Sequence, residues 1–136
     1  MFSELDFRSH TPIYVQLVER IKHLVATGVL APGDQLPTVR QMAAELRVNF
    51  NTIARAYRLL DEAGVISTQQ GRGTYVLDPM PPEQADQLRR AALDGLTASY
   101  LDEASRMGFA PEDVEARVAA MVGEWLDTGH PPAIED

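Results

Sequence analysis

The chain of 136 residues contains no cysteine. Without thiols there is neither a disulfide framework nor a thiolate metal site, and a reducing, cytoplasmic home is the matching expectation. Histidine is scarce as well. His10, His23 and His130 are scattered and form no metal-ligand or base–nucleophile spacing. No apolar run approaches the roughly 20 residues that span a bilayer, so no membrane partner is expected. Met1 to Asp6 have neither a basic stretch nor an apolar core, and do not read as a signal peptide. HExxH and P-loop motifs are missing. The glycines of Gly71-Arg72-Gly73 lie between β-rich segments rather than ahead of a helix, which disfavours a phosphate-binding loop. An enzyme is therefore not expected, nor is a cofactor.

Charge is present but unevenly spread. The net charge is -8. Residues 1–78 hold eight Lys/Arg against eight Asp/Glu, whereas residues 79–136 hold four against twelve. Such asymmetry suggests two parts with different work. Within the balanced part, Thr38 to Arg58 carries Arg40, Arg47, Arg55 and Arg58 against one acid, Glu45. From Asn49 to Leu60 there is no acid at all.

The apolar pattern orders the chain into elements. Residues 1–10 have no clear period, and Phe2, Leu5 and Phe7 suit an arm packed on the body. Thr11-Pro12 opens a helix, with Thr as cap and Pro at the first helical position. Ile13, Leu17, Ile21, Leu24 and Val25 give it one apolar stripe, and Gly28 closes it. Gln35-Leu36 is short and extended, held so by Pro37. Thr38 and Gln41 make a capping box that starts a second helix, with Val39, Met42, Ala43 and Leu46 inward. Val48-Asn49 turns the chain. Asn49 can cap a third helix from Phe50 to Ala63, with Ile53, Ala56, Tyr57 and Leu60 inward and Gly64 after it. Residues 65–68 and 74–77 are β-rich and are joined by Gln69 to Gly73, a length that suits a hairpin.

Residues 79–82 form a proline-rich linker. A fourth helix is expected over 83–107, with Leu88, Leu93, Leu96, Tyr100, Ala104 and Met107 near one stripe. Gly108 breaks it. Pro111-Glu112-Asp113 opens a fifth, where acids favour the dipole. Its stripe is Val114, Val118, Met121, Val122, Trp125 and Leu126. Gly129 to Asp136 reads as a frayed tail. The predicted architecture is mostly α with a small β-hairpin. Residues 1–78 form a winged helix-turn-helix, and 83–136 a two-helix dimerisation hairpin. A helix pair this small rarely stabilises itself without metal, disulfide or association. Leu93, Leu96, Tyr100, Val118, Val122 and Trp125 are thus candidates for contact with a second copy. Trp125 also fits an intramolecular core.

A winged helix-turn-helix commonly sets the start of its third helix in the major groove. Asn49, Asn51, Thr52, Arg55 and Arg58 are the polar residues there. Asn pairs with adenine, and Arg with guanine. Arg40 is placed to hold the backbone. The wing glycines let Arg72 approach a phosphate or the minor groove. Blander roles stand beside these: Asn49 as a pure cap, Arg58 paired with Asp61 or Glu62, and Arg47 as a cation on a helix end. A winged helix used only for protein contact is the alternative, disfavoured by the acid-free stretch.

The runs PGDQLPTVRQMAAEL, NTIARAYRLLDEAGVI and GRGTYV resemble GntR-type bacterial transcription regulators over residues 12–77. The opening PIYVQL, the NTIARAY spelling and the short helical tail are similar to the YtrA-like subfamily. The resemblance implies a homodimeric repressor on double-stranded, pseudo-palindromic operator DNA, often beside a transporter operon. It implies DNA contacts by Arg40, by Asn49, Asn51 and Thr52, and by the wing at Gln70, Gly71 and Arg72, with Gly73 beside them. Phe50 departs from the arginine that many members carry, and suits either a thymine methyl or a staple on the turn. Ala54 replaces a basic residue of some relatives. The large effector domain of most members is not expected in the short stretch after the linker. An unidentified small-molecule effector remains a candidate partner, with a pocket only at a dimer interface.

Overall fold

The computed structural model describes residue 2 and residues 5–134. Its elements run α1 (Ile13–Ala26), β1 (Gln35–Leu36), α2 (Val39–Leu46), α3 (Phe50–Glu62), β2 (Ile66–Gln69), β3 (Gly73–Val76), α4 (Pro82–Arg106) and α5 (Pro111–Thr128). The three strands form one antiparallel sheet in the order β1-β3-β2. Gln35 pairs with Tyr75 and Leu36 with Thr74, while Ile66 to Gln69 pair with Val76 back to Gly73. The hairpin expected from the sequence is thus the larger part of a three-stranded sheet. Gln35-Leu36 supplies the third strand, because its extended backbone matches the free edge of β3.

Contacts divide the chain into two compact units, residues 1–93 and 94–136. The sequence reading starts the C-terminal region at residue 83, whereas the contacts carry the first unit on to Leu93. Two side chains explain that. Gln84 Nε2 donates to the Ala63 carbonyl at 2.7 Å, and Leu88 is buried in the core of the first unit.

That core is built from the apolar stripes. α1 buries Leu17, Val18, Ile21 and Leu24, α2 buries Met42, and α3 buries Ile53, Ala56, Tyr57 and Leu60. Leu36, Val65, Ile66 and Val76 close it from the sheet side, and Phe2 of the arm joins them. Full burial of such a side chain is worth roughly 1.5–3 kcal/mol against exposure. Leu5 packs partly on this core, while Phe7 stays exposed.

The helix starts differ in detail from expectation. The cap of α1 is Pro12, not Thr11, and it makes no side-chain cap bond. The Pro12 carbonyl accepts from the amides of Val15 and Gln16. Thr11 is engaged elsewhere, its amide donating to Ser9 Oγ and its carbonyl accepting from Gln16 Nε2. At α2 the capping box is complete. The Gln41 amide donates to Thr38 Oγ1 at 3.1 Å, and the Thr38 amide to Gln41 Oε1 at 2.9 Å. No helix among the described residues is long and apolar enough to cross a membrane.

In the second unit, α4 and α5 are joined by a turn at Met107 to Ala110. Ala104 is buried, but Leu96, Tyr100, Val118, Val122 and Trp125 are exposed, as is Leu93 at the end of the first unit. Among the described residues α5 buries no side chain fully.

Candidate nucleic-acid interface

The helix-turn-helix is fixed by backbone chemistry at the turn. Arg47 closes α2 in the left-handed region, at φ 55° and ψ 45°, with its amide turned back to the Ala43 and Ala44 carbonyls. Asn49 then caps α3, its side chain accepting from the Asn51 amide at 2.7 Å. One function of Asn49 is therefore capping. Its amide nitrogen is left over for another acceptor. Tyr57 Oη donates to the Pro37 carbonyl at 2.6 Å and so ties α3 to the entry of α2. Burial, with the Glu45 charge second, pushes the Tyr57 phenol well above the ordinary tyrosine value.

The period that buries Ile53, Ala56, Tyr57 and Leu60 turns Asn51, Arg55 and Arg58 outward. Phe50 opens α3 at 48% exposure. Thr52 is half-buried, and Arg40 is exposed in the first turn of α2. Among the described residues Arg58 makes no ion pair with Asp61 or Glu62, although all three line one groove of about 350 Å³. Asp61 Oδ2 instead accepts from the Thr68 amide at 3.4 Å, which links α3 to the wing.

Arg55 is held in a way the sequence did not reveal. Its guanidinium carbon lies 3.9 Å from the centroid of the Tyr14 ring. A cation–π contact of this kind uses none of the guanidinium's N–H donors in a conventional hydrogen bond. Nothing in the spacing of two residues so far apart announces the pair.

At the wing tip, Gln70, Gly71 and Arg72 are exposed. Gly71 has φ 75° and Gly73 φ 118°, backbone that L side chains rarely adopt. The Arg72 amide donates to the Gln69 carbonyl at 3.0 Å and closes the turn. Arg40, Arg55, Arg58 and Arg72 thus decorate the second helix, the third helix and the wing. Of the six apolar candidates for self-association, Leu93 ends the first unit, and Leu96, Tyr100, Val118, Val122 and Trp125 belong to the second.

The family model for bacterial regulatory proteins of the gntR family matches residues 13–76. The chain is 34% identical over 111 residues to YhcF of Bacillus subtilis, an uncharacterised HTH-type transcriptional regulator. That alignment covers 80% of this chain and 88% of the relative. The chain belongs to the GntR family. It is also 45% identical over 73 residues to the HTH-type transcriptional repressor YtrA of Bacillus subtilis, covering 54% of this chain and 56% of YtrA's own length. A GntR family transcriptional regulator from Listeria monocytogenes superposes with a TM-score of 0.65 at 35% identity, covering 84% of this chain and 98% of that one. GntR proteins are transcription regulators, not enzymes, and this chain is a DNA-binding regulator of that family.

Proposed function

We propose that the chain is a homodimeric, sequence-specific repressor that sits on a pseudo-palindromic operator in the cytoplasm. The observation that carries this is the outward face of α3. Asn51, Arg55 and Arg58 stand exposed on a helix that has no acid from Asn49 to Leu60. Asn49, Phe50 and Thr52 frame the end of the helix that enters the major groove. Arg40 holds the phosphate backbone from α2. Gln70, Gly71, Arg72 and Gly73 bring the wing to the flanking groove.

The exposed apolar residues of α4 and α5 support the dimer. A pair of helices with Trp125 at 51% exposure is poorly buried by itself, and a second copy is the simplest cover. Two-fold symmetry then presents two third helices about one DNA turn apart. A small-molecule effector would need a pocket completed by the second copy. Repression of a neighbouring transporter operon is the role that the resemblance to YtrA-like regulators favours.

Sedimentation of the protein with a duplex from upstream of its own gene tests the stoichiometry. Two chains per duplex are expected, together with footprints on two segments one helical turn apart. One chain per duplex with a single footprint would contradict the dimeric reading.

A further inference from the structure

The wing tip is held more firmly than a glycine-tipped hairpin requires. The Arg72 carbonyl accepts from Tyr75 Oη at 2.9 Å, within the wing itself. The same oxygen accepts from Gln35 Nε2 at 3.5 Å, from the neighbouring strand β1. The second bond is long. The Gln35 amide nevertheless rests close to the wing backbone, its Nε2 standing 2.8 Å from where a Cβ on Gly73 would be. Glycine at this point is favoured by its φ of 118°, and the missing side chain lets the Gln35 amide approach. Gln35 and Tyr75 are also directly paired across β1 and β3, so their side chains share one face of the sheet.

This arrangement joins two places that the DNA reading treats separately. β1 leads through Pro37 into the Thr38 capping box and Arg40. A side chain on β1 grips the peptide whose own side chain is the wing arginine. We propose that Gln35 and Tyr75 are positioning residues for DNA binding, which hold the wing tip by the Arg72 carbonyl and set Arg72 in register with Arg40. Neither residue contacts DNA; both act through Arg72. A tip already ordered in the free protein loses less freedom when it docks, and its charge arrives at a fixed place. The proposal rests on the assignment of the wing as a DNA contact.

The test is fluorescence anisotropy of the full chain on a labelled duplex from upstream of its own gene, at several salt concentrations. The variants are Arg72→Ala, Tyr75→Phe, Gln35→Ala and the double variant Arg72→Ala with Tyr75→Phe. Tyr75→Phe keeps the ring and its packing, and circular dichroism checks that each variant is folded. Loss of one brace bond is expected to weaken binding about three- to ten-fold and to make the salt dependence shallower. In the Arg72→Ala background, Tyr75→Phe should change nothing further. Equal effects of Tyr75→Phe with and without Arg72 would overturn the brace. So would unaltered binding by Tyr75→Phe and Gln35→Ala while Arg72→Ala is weakened. If Arg72→Ala itself binds like the parent chain, the wing assignment fails and the brace fails with it, a pattern distinct from failure of the brace alone.

Discussion

At the scale of the residue, the proposed interface has groups suited to position and groups suited to discriminate. Arg40 lies inside a complete capping box, two residues after Thr38, so its backbone is fixed while its side chain reaches into solvent. A guanidinium so placed suits a phosphate, which carries charge but no sequence. Arg40→Ala is expected to weaken binding to all duplexes alike and to reduce the salt slope by about one. Asn51 is different: it is exposed on the first turn of α3, the part of a recognition helix that commonly faces base edges. Asn51→Ala should leave the salt slope intact and relax base preference, worth about 1–3 kcal/mol at the affected position. Competition titrations with single-base variants of one duplex separate the two outcomes. A sequence-dependent loss for Arg40→Ala would contradict its backbone role. Arg55 belongs between these groups, since its guanidinium sits over the Tyr14 ring while it remains exposed.

At the scale of the element, the crossing of α2 and α3 depends on one buried phenol. Tyr57 Oη holds the Pro37 carbonyl at 2.6 Å. Tyr57→Phe would leave that carbonyl short of a donor, at a cost of about 1–2 kcal/mol. The alkaline limb of stability should change too. The folded phenol titrates above its unfolded value near 10, so its share of stability is complete below that value. That share is lost as pH rises beyond it, when the unfolded chain releases the proton first. Denaturant melts of Tyr57→Phe should show lower stability at neutral pH and a flatter decline above pH 10. An unchanged alkaline slope would remove Tyr57 from the account. Much at this scale was legible in the sequence. The third-helix set Ile53, Ala56, Tyr57 and Leu60 follows from period alone, and the Thr38–Gln41 box from a local pattern. The pairing of Gln35-Leu36 with β3 was not legible, because two residues carry no period. The cap of α1 moved from Thr11 to Pro12 because Ser9 and Gln16 engage the Thr11 backbone. The Arg55–Tyr14 and Gln35–Arg72 contacts join distant residues and left no mark in spacing.

At the scale of the whole molecule, the chain pairs a charge-balanced winged-helix part with an acidic C-terminal part that carries exposed apolar residues. The C-terminal residues 79–136 carry the whole charge deficit, which disfavours them as a nucleic-acid surface. Their exposed aliphatics and Trp125 suit association instead. Trp125→Ala is expected to shift the protein from dimer to monomer in sedimentation velocity and to weaken operator binding through loss of the second half-site. A dimer unchanged by that substitution would move the interface away from Trp125. The central claim is sequence-specific DNA binding by this surface. It is tested most directly by fluorescence anisotropy of the intact protein on the DNA upstream of its own gene, against a scrambled duplex of equal length, over a series of salt concentrations. Tight binding is expected that weakens steeply with salt on both duplexes and favours the upstream one. Equal affinity for the two duplexes, or no binding at low salt, would contradict it.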